Sequence, residues 1–593
     1  MVYSQFFLSC LVFLTIAAPI SKLLNIEINK SIFISICASS IIILILYQIK
    51  IYYFFPILLS ISLISLFFKD NRILLLKNYL FISEFIIVTF IFLFFSNERI
   101  LMDQDELYYW GVKYKYFLGL GTSQSAQFYK PEEYFSNYHP HITSLFHTFN
   151  SYLIGFNEGM AIFSNSLILI SGFYYLFFFK NQKIIFRIAN SIIFYLILNN
   201  LSWGFLSIYT DTVIAVTYTI LIINLINYLQ SKKKTDLLSF ILILIFFLNI
   251  HRSAIILTLL LIIIILIKKD LLNKKKLYLS LSFIIILVFI FLLIIKLNNI
   301  PNLQKSSDYI LRLSLKQLYR DIIDFIDIIL FSKTYNSQFG VFFNEISNYL
   351  NFNFKLLPGY ILNVFIWYLF LIYIIFSTGN KQRYLNYSFI IIFLLFSLSI
   401  YYDKIIFNKT SPQTFGRYVS FVLIPFIFTY FYYYKYNSKI KDITNLFFII
   451  FLLLLITPKK SIGFFTFKNF YKNYDEVNKN YFEIRSEIKE LSEKIKKDLS
   501  YQKASATIIY GNKHGVTEYH YSLFHSAFQL ELFPINSIFI SIENFIVPEP
   551  NIDRYIKNRD IIVYYNTNLK DVKQTRLVLK GYKIKKNYFF NNK

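Results

Sequence analysis

The chain has 593 residues, of which 56% are hydrophobic, 20% aromatic and only 16% charged, and its formal net charge is +26. Apolar runs of membrane-span length recur along most of it, which excludes a soluble globular protein as the main architecture. The cations are scattered over short loops of a sequence rich in Lys, Asn, Ile, Phe and Tyr and form no compact basic domain, which argues against a nucleic-acid partner.

In chain order, the apolar runs predict spans near 4–24, 31–49, 51–68, 79–95, 159–179, 187–203, 209–229, 237–250, 253–267, 277–296, 358–377, 386–402, 417–434 and 443–457. The first has no charged n-region and no small-residue cleavage site after it, so it reads as a retained span. Cys10 and Cys37 both lie inside apolar runs, and two such residues make neither a disulfide framework nor a zinc site. Residues 237–250 and 253–267 are each short for a hydrocarbon core of about 30 Å at a rise of about 1.5 Å per residue. Their joint, Asn249 to Arg252, predicts a hairpin whose apex stops at depth, where charge is tolerated only beside a cavity.

Past the last run the composition changes. Residues 474–499 are charged, with Val477, Phe482, Ile484, Ile488, Leu491 and Ile495 at helical spacing. The runs 506–510 and 560–565 predict strands, so the tail reads as a small α/β domain. Residues 297–357 are amphipathic and read as helices near the membrane surface.

Orientation follows from the short-loop cations. Lys69, Arg72 and Lys77, then Lys180, Lys183 and Arg187, then Lys232 to Lys234, all fall on one side. So do Lys268, Lys269 and Lys274 to Lys276, then Lys381 with Arg383, and finally Lys435, Lys439 and Lys441. That side is expected to be the cytoplasm. Segments 96–158, 297–357 and 403–416 and the tail from 459 then lie outside. The expected architecture is an all-α polytopic domain of about 13–14 transmembrane helices in the cell membrane. It would occupy residues 1–458, with a small extracytoplasmic α/β domain at 459–593.

The strongest local signal is Asp103, Asp105 and Glu106, followed by Tyr108, Tyr109 and Trp110. Three crowded carboxylates at a membrane border are costly unless solvated, paired or used, and crowding raises the pKa of one member, which makes a better base. Trp110 and the tyrosines offer flat faces of the kind that stack on sugars, and Lys113, Lys115, Tyr138, His139, Pro140 and His141 follow. An ordinary acidic loop is the other reading of this segment.

An acidic pair, an aromatic and a Tyr/His-Pro step in the first long loop together resemble the GT-C superfamily. These are membrane glycosyltransferases that use polyprenyl-phosphate sugars, among them the protein O-mannosyltransferases and the lipid A aminoarabinose transferases. The closest pattern is Asp105-Glu106-x-x-x-Trp110 with Lys113 or Lys115 after it, and the span layout is similar from about 79 to 457. Three extra spans precede the acidic loop, and the Tyr-Pro-Pro step of such enzymes reads Tyr138, His139, Pro140 here.

Other patches are similar as well. Tyr209-Thr210-Asp211 resembles a Tyr-x-Asp step that opens a span, although Asp211 also reads as a helix N-cap. His251 and Arg252 could hold a lipid phosphate, since a guanidinium matches phosphate geometry; a snorkelling Arg is the alternative. Arg417-Tyr418 resembles the Arg-Tyr step that begins a late span and is a second phosphate candidate.

The resemblance implies transfer of a sugar from a polyprenyl-phosphate carrier to an extracytoplasmic glycan, lipid or protein, with inversion. Asp105 would be the general base, and Glu106 or Asp103 would orient the acceptor or bind a divalent metal ion. Arg252, Arg417 and Lys115 would neutralise the phosphate. Trp110, Lys113, His139, His141, Asp211, His251 and Tyr418 complete the expected substrate-binding set. His514, His520 and His525 lack metal-ligand spacing, and no P-loop, dinucleotide fingerprint or nucleophile elbow occurs. With only 15 glycines, a backbone phosphate cradle and a nucleotide-sugar donor are disfavoured. A flippase or transporter of lipid-linked glycans would call for internal repeats or broken helices, and no repeat is found. A glycan polymerase or ligase is a second rival, and a non-catalytic outer-surface scaffold is the third.

Overall fold

The computed structural model describes residues 1–97, 99, 101, 106–120, 141–178, 184–201, 205, 207–251, 253–267, 383–400, 412–433, 485–497, 505–510, 526–533, 535–541, 561–565, 582–585 and 588–591. In chain order the helices are α1 (Val2–Leu24), α2 (Ile28–Gln48), α3 (Phe54–Phe67), α4 (Lys69–Lys77), α5 (Tyr79–Asn97) and α6 (Val112–Leu120). A π-helical turn, Glu106–Gly111, runs directly into α6. Then come α7 (Ile142–Asn150), α8 (Glu158–Phe177), α9 (Ile184–Leu201), α10 (Asp211–Ser231), α11 (Lys234–Leu248), α12 (Ser253–Ile267), α13 (Arg383–Ile400) and α14 (Pro412–Tyr433). Two further helices, α15 (485–497) and α16 (526–532), accompany strands β1 (Ser505–Tyr510), β2 (Asn536–Ser541), β3 (Ile561–Tyr565), β4 (Tyr582–Lys585) and β5 (Tyr588–Asn591).

The chain divides into two units. One comprises Met1–Glu98, Asn137–Leu153 and Gly159–Phe470; the other comprises Arg99–Ser136, Ile154–Glu158 and Tyr471–Lys593. The first long loop is therefore shared: residues 99–136 and 154–158 belong with the tail, and the segment between them, which carries α7, belongs with the helical unit.

The helical unit is membrane-embedded. Among the described residues, α1, α2, α5, α8 and α10 are long and apolar enough to cross a bilayer. Over their most apolar stretches α8 and α10 are 94% and 89% buried and α5 only 28%, so α8 and α10 are central and α5 is peripheral. The centre closes at Gly172, where an added Cβ would sit 2.5 Å from Val216 Cγ1. In lipid, close packing of this kind replaces the hydrophobic effect as the force between helices.

Buried polar side chains are used as inter-helix links, since hydrocarbon offers them no water. Ser35 Oγ donates to Phe13 O at 2.9 Å and Ser65 Oγ to Thr15 O at 2.9 Å, joining α2 and α3 to α1. Asn29 Nδ2 donates to Tyr174 O at 3.2 Å and Phe178 O at 2.9 Å, which satisfies carbonyls that the end of α8 leaves without helical partners.

α3 has 14 residues, a length of about 21 Å, and α4 turns away from it by 90°. The span expected at 51–68 is thus a short helix, and the loop read from Lys69, Arg72 and Lys77 forms a second helix at a sharp angle to it. α11 and α12 are 15 residues each, the short pair that the sequence predicts, and Asn249 to Arg252 forms their joint. The expected spans at 277–296, 358–377 and 443–457, and the amphipathic segment 297–357, lie outside the described residues.

In the second unit the strands form one mixed sheet in the order β2-β1-β3-β5-β4. β1 pairs parallel with both β2 and β3, with Ile508 opposite Phe539 and Val563. Parallel neighbours need a crossover, and α16 lies in the β1–β2 connection. β4 and β5 form an antiparallel hairpin with Lys585 opposite Tyr588. The two apolar runs expected as strands are β1 and β3. α15 buries Ile488, Leu491 and Ile495, the spacing that predicted it.

Candidate functional site

Asp103 and Asp105 lie outside the described residues, as do His139 and Arg252. Glu106 opens the π-helical turn. A π turn inserts one residue into the helical register, a feature that recurs at functional sites. Along the turn and α6, Leu107, Trp110, Tyr114 and Phe117 recur at three- and four-residue intervals and are all nearly inaccessible. This apolar stripe is what fixes the segment that follows the acidic cluster.

Trp110 is 2% exposed, so the flat face expected to meet a sugar is instead packed inside. Lys113 is equally enclosed at 2%. Burial pushes its ammonium down to about 7, close enough to neutrality to change charge in the physiological range.

Tyr114 anchors the other end of the long loop. Its hydroxyl accepts from Asn157 N at 3.3 Å and lies 3.4 Å from Gly155 O, while its ring packs 4.9 Å from Phe156. Lys115 lies 4.4 Å above the Phe156 ring and donates to Leu530 O at 2.7 Å. Its Nζ also stands 3.4 Å from Glu531 Oε2.

The partners of Lys115 bring in the tail. Arg485 Nη2 donates to Glu158 Oε1 at 2.6 Å, and Arg485 Nη1 stands 3.0 Å from Glu531 Oε1, an ion pair whose angle is not that of a hydrogen bond. Glu158 Oε2 in turn accepts from Leu101 N at 2.5 Å. All four charged side chains expose 14% or less. The result is a chain of alternating charge: Lys115, Glu531, Arg485, Glu158.

Burial lowers the Lys115 pKa, and Glu531 and Glu158 oppose that shift. Burial alone would raise the Glu531 carboxyl, but Lys115, Arg485 and Lys496 together hold it below its usual range. Lys496 is pushed down to about 8, first by burial and then by Lys115. Charges this enclosed need partners, and this group supplies them internally.

The helical unit holds a second polar group. His147 on α7 faces Asn165 on α8, with Nε2 3.0 Å from Oδ1. Asn165 Nδ2 donates to Ser207 O at 3.1 Å and Tyr209 O at 3.2 Å, and Ser166 Oγ donates to Phe205 O at 2.6 Å. Two neighbouring residues of α8 therefore hold the irregular lead-in to α10, which runs through Tyr209 and Thr210 to Asp211. Thr210 is the N-cap of α10 and Asp211 stands in its first turn, buried at 1% exposure. The N-cap reading of Asp211 is corrected accordingly. A carboxylate in a first turn still meets the positive end of the helix dipole.

His251 is also buried, and its Nδ1 accepts from Ser253 N at 3.1 Å at the start of α12. Its ring meets Phe421 of α14 edge-on at 6.3 Å. His141 precedes α7 and packs edge-on to Tyr47 at 5.8 Å. Arg417 and Tyr418 fall within the first turns of α14. Among the described residues, no group of three or more His, Cys, Asp or Glu is placed to hold a metal ion.

No protein-family model matches the chain, no curated protein matches it, and no solved structure matches it. Sequence reasoning singled out Lys113, Lys115 and Asp211 and missed Glu158, Arg485, Glu531, His147 and Asn165. Arg485 does carry a signal. It sits one residue from Ile484 in an apolar helical stripe, where a lone Arg is buried only with acidic partners.

Proposed function

We propose that this protein is a membrane glycosyltransferase that moves a sugar from a polyprenyl-phosphate carrier to an extracytoplasmic glycan, lipid or protein. The acceptor hydroxyl oxygen attacks the anomeric carbon as the bond to the phosphate oxygen breaks. The phosphate leaves with the bonding pair, Asp105 takes the hydroxyl proton, and the anomeric configuration inverts. Asp103 and Glu106 orient the acceptor. Arg252 and Arg417 offset the charge on the departing lipid phosphate, where fixed cations in a low-dielectric setting act most strongly.

The observation that supports this reading best is the setting of the acidic segment. Glu106, the last of its carboxylates, opens a π turn that leads into a helix; Trp110 and Lys113 there are buried, and Lys115 is held by the Leu530 carbonyl, Glu531 and the Phe156 ring. A general base needs such a fixed support to keep its geometry. The C-terminal sheet, as a small α/β domain outside the cell, would share that support.

The test is transfer by the purified protein from a radiolabelled polyprenyl-phosphate sugar. Label should pass to an envelope acceptor with release of polyprenyl phosphate. A protein that binds the carrier and moves it across vesicles without breaking the sugar–phosphate bond is a flippase, which would overturn the reading.

A further inference from the structure

α5, α8 and α9 enclose a groove of ≈ 260 Å³, all of it within the helical unit. Its walls are aromatic, with Phe92, Phe173, Phe177 and Phe194 among them. Beside it the outer faces of α5 and α9 are bare: Ile87 is 60% exposed and Ile188 55%. On a peripheral membrane helix such faces meet lipid, so the groove opens toward hydrocarbon. An occupant must be apolar over most of its length.

One end of the groove is charged. Arg187 Nη1 stands 3.5 Å from Glu84 Oε2, and the guanidinium lies 4.4 Å above the Phe178 ring. Tyr174 OH donates to Glu84 Oε1 at 3.2 Å. The side chains keep 30% and 40% of their surface, so the pair is partly open to a third group. An anionic headgroup alone would meet Glu84 beside its Arg partner. A cationic one would meet Arg187. A headgroup carrying both signs satisfies each, and a primary ammonium can donate to a carboxylate where a quaternary ammonium cannot.

We propose that this groove binds a zwitterionic aminophospholipid, with an acyl chain among the phenylalanines, its phosphate on Arg187 and its primary ammonium on Glu84. The site is separate from the transferase reading, since none of its residues is assigned to donor or acceptor. It would give the protein a resident lipid at the end of the bundle where α5 and α9 begin and α8 ends.

Native mass spectrometry of the purified full-length protein in detergent tests this. Phosphatidylethanolamine, phosphatidylcholine and phosphatidylglycerol of matched chains, and polyprenyl phosphate, are titrated separately and in competition. Phosphatidylethanolamine should bind about tenfold more tightly than the other two phospholipids, the worth of one charge-assisted hydrogen bond. Glu84→Gln should abolish its advantage over phosphatidylcholine, and Arg187→Gln should weaken all three. Ser191→Trp leaves both charges in place and fills the groove, so it should shed the bound lipid even if the charge variants fold poorly. Equal binding of the three phospholipids overturns the site, as does an advantage retained in Glu84→Gln, lipid retained in Ser191→Trp, or displacement by polyprenyl phosphate.

Discussion

Arg485 stands 2.6 Å from Glu158, an ion pair between residues 327 positions apart in the chain. Through Glu531 the same guanidinium connects to Lys115, so one tail residue reaches both parts of the first long loop that belong with the tail. Replacing Arg485 with Met leaves the enclosed Glu158 carboxylate without its cation and Glu531 with its lysine partners alone. The expected loss is about 3–5 kcal/mol of stability in this unit. Pairing Arg485→Met with Glu158→Gln should recover part of that loss in thermal unfolding. Strictly additive losses would show that the two residues do not interact.

Removing residues 500–593 takes away the Leu530 carbonyl and Glu531, two of the three contacts that hold the Lys115 ammonium. Amide exchange over residues 106–120 should then quicken by about tenfold or more, the equivalent of one lost charged hydrogen bond. Unchanged exchange in the truncated protein would show that α6 keeps its place without the tail.

Lys113 makes the stability of this unit depend on pH. Its folded pKa lies near 7, well below the usual lysine value near 10.5, because burial disfavours the cation. Between those values the unfolded chain binds more protons than the folded one, so stability should rise as pH climbs through that window. The slope from this residue is at most about 1.4 kcal/mol per pH unit. Lys113→Met should flatten the unfolding midpoint against pH between 7 and 10, and an unchanged profile would assign the dependence elsewhere.

Asn165→Leu removes the donor that holds the Ser207 and Tyr209 carbonyls and the partner of His147. A buried group left without its bond costs about 1–3 kcal/mol. Thermal unfolding should show that loss, with faster amide exchange at residues 207–214. Ser166→Ala, which frees only the Phe205 carbonyl, should cost less. Equal losses would place the restraint on the backbone path itself.

Asp105→Asn keeps shape and hydrogen bonding but removes the proposed base. Donor binding should persist while transfer falls by about 10²–10⁴. Asp103→Asn should be milder and Glu106→Gln intermediate. Near-normal transfer by a folded Asp105→Asn protein would remove it from the mechanism.

Much of the local structure was legible. A backbone in hydrocarbon must satisfy its own hydrogen bonds, so long apolar runs such as those of α1, α8 and α10 can only be helices. Short runs of β-branched and aromatic residues marked β1 and β3, and the spacing of Ile488, Leu491 and Ile495 marked α15. The shortness of α11 and α12 was equally visible, because length alone decides whether a helix reaches across.

The site was legible only in part. Trp110 reads as a flat face for a sugar, and its burial follows from the three- and four-residue spacing it shares with Leu107, Tyr114 and Phe117. Asp211 was recognised, yet the hold of Asn165 and Ser166 on the carbonyls of Phe205, Ser207 and Tyr209 before it required α8 to be brought beside the lead-in to α10.

The sequence by itself thus determined where this protein enters and leaves the apolar phase and which short segments are helix or strand. Those choices depend on neighbours within a few residues. The tertiary structure alone decided which charges meet. Closing a longer loop costs only slightly more entropy than closing a shorter one, so Lys115 could have found an acidic partner almost anywhere along the chain. It found Glu531 because α16 carries that carboxylate beside α6, and Arg485 found Glu158 because α15 carries its guanidinium beside the start of α8.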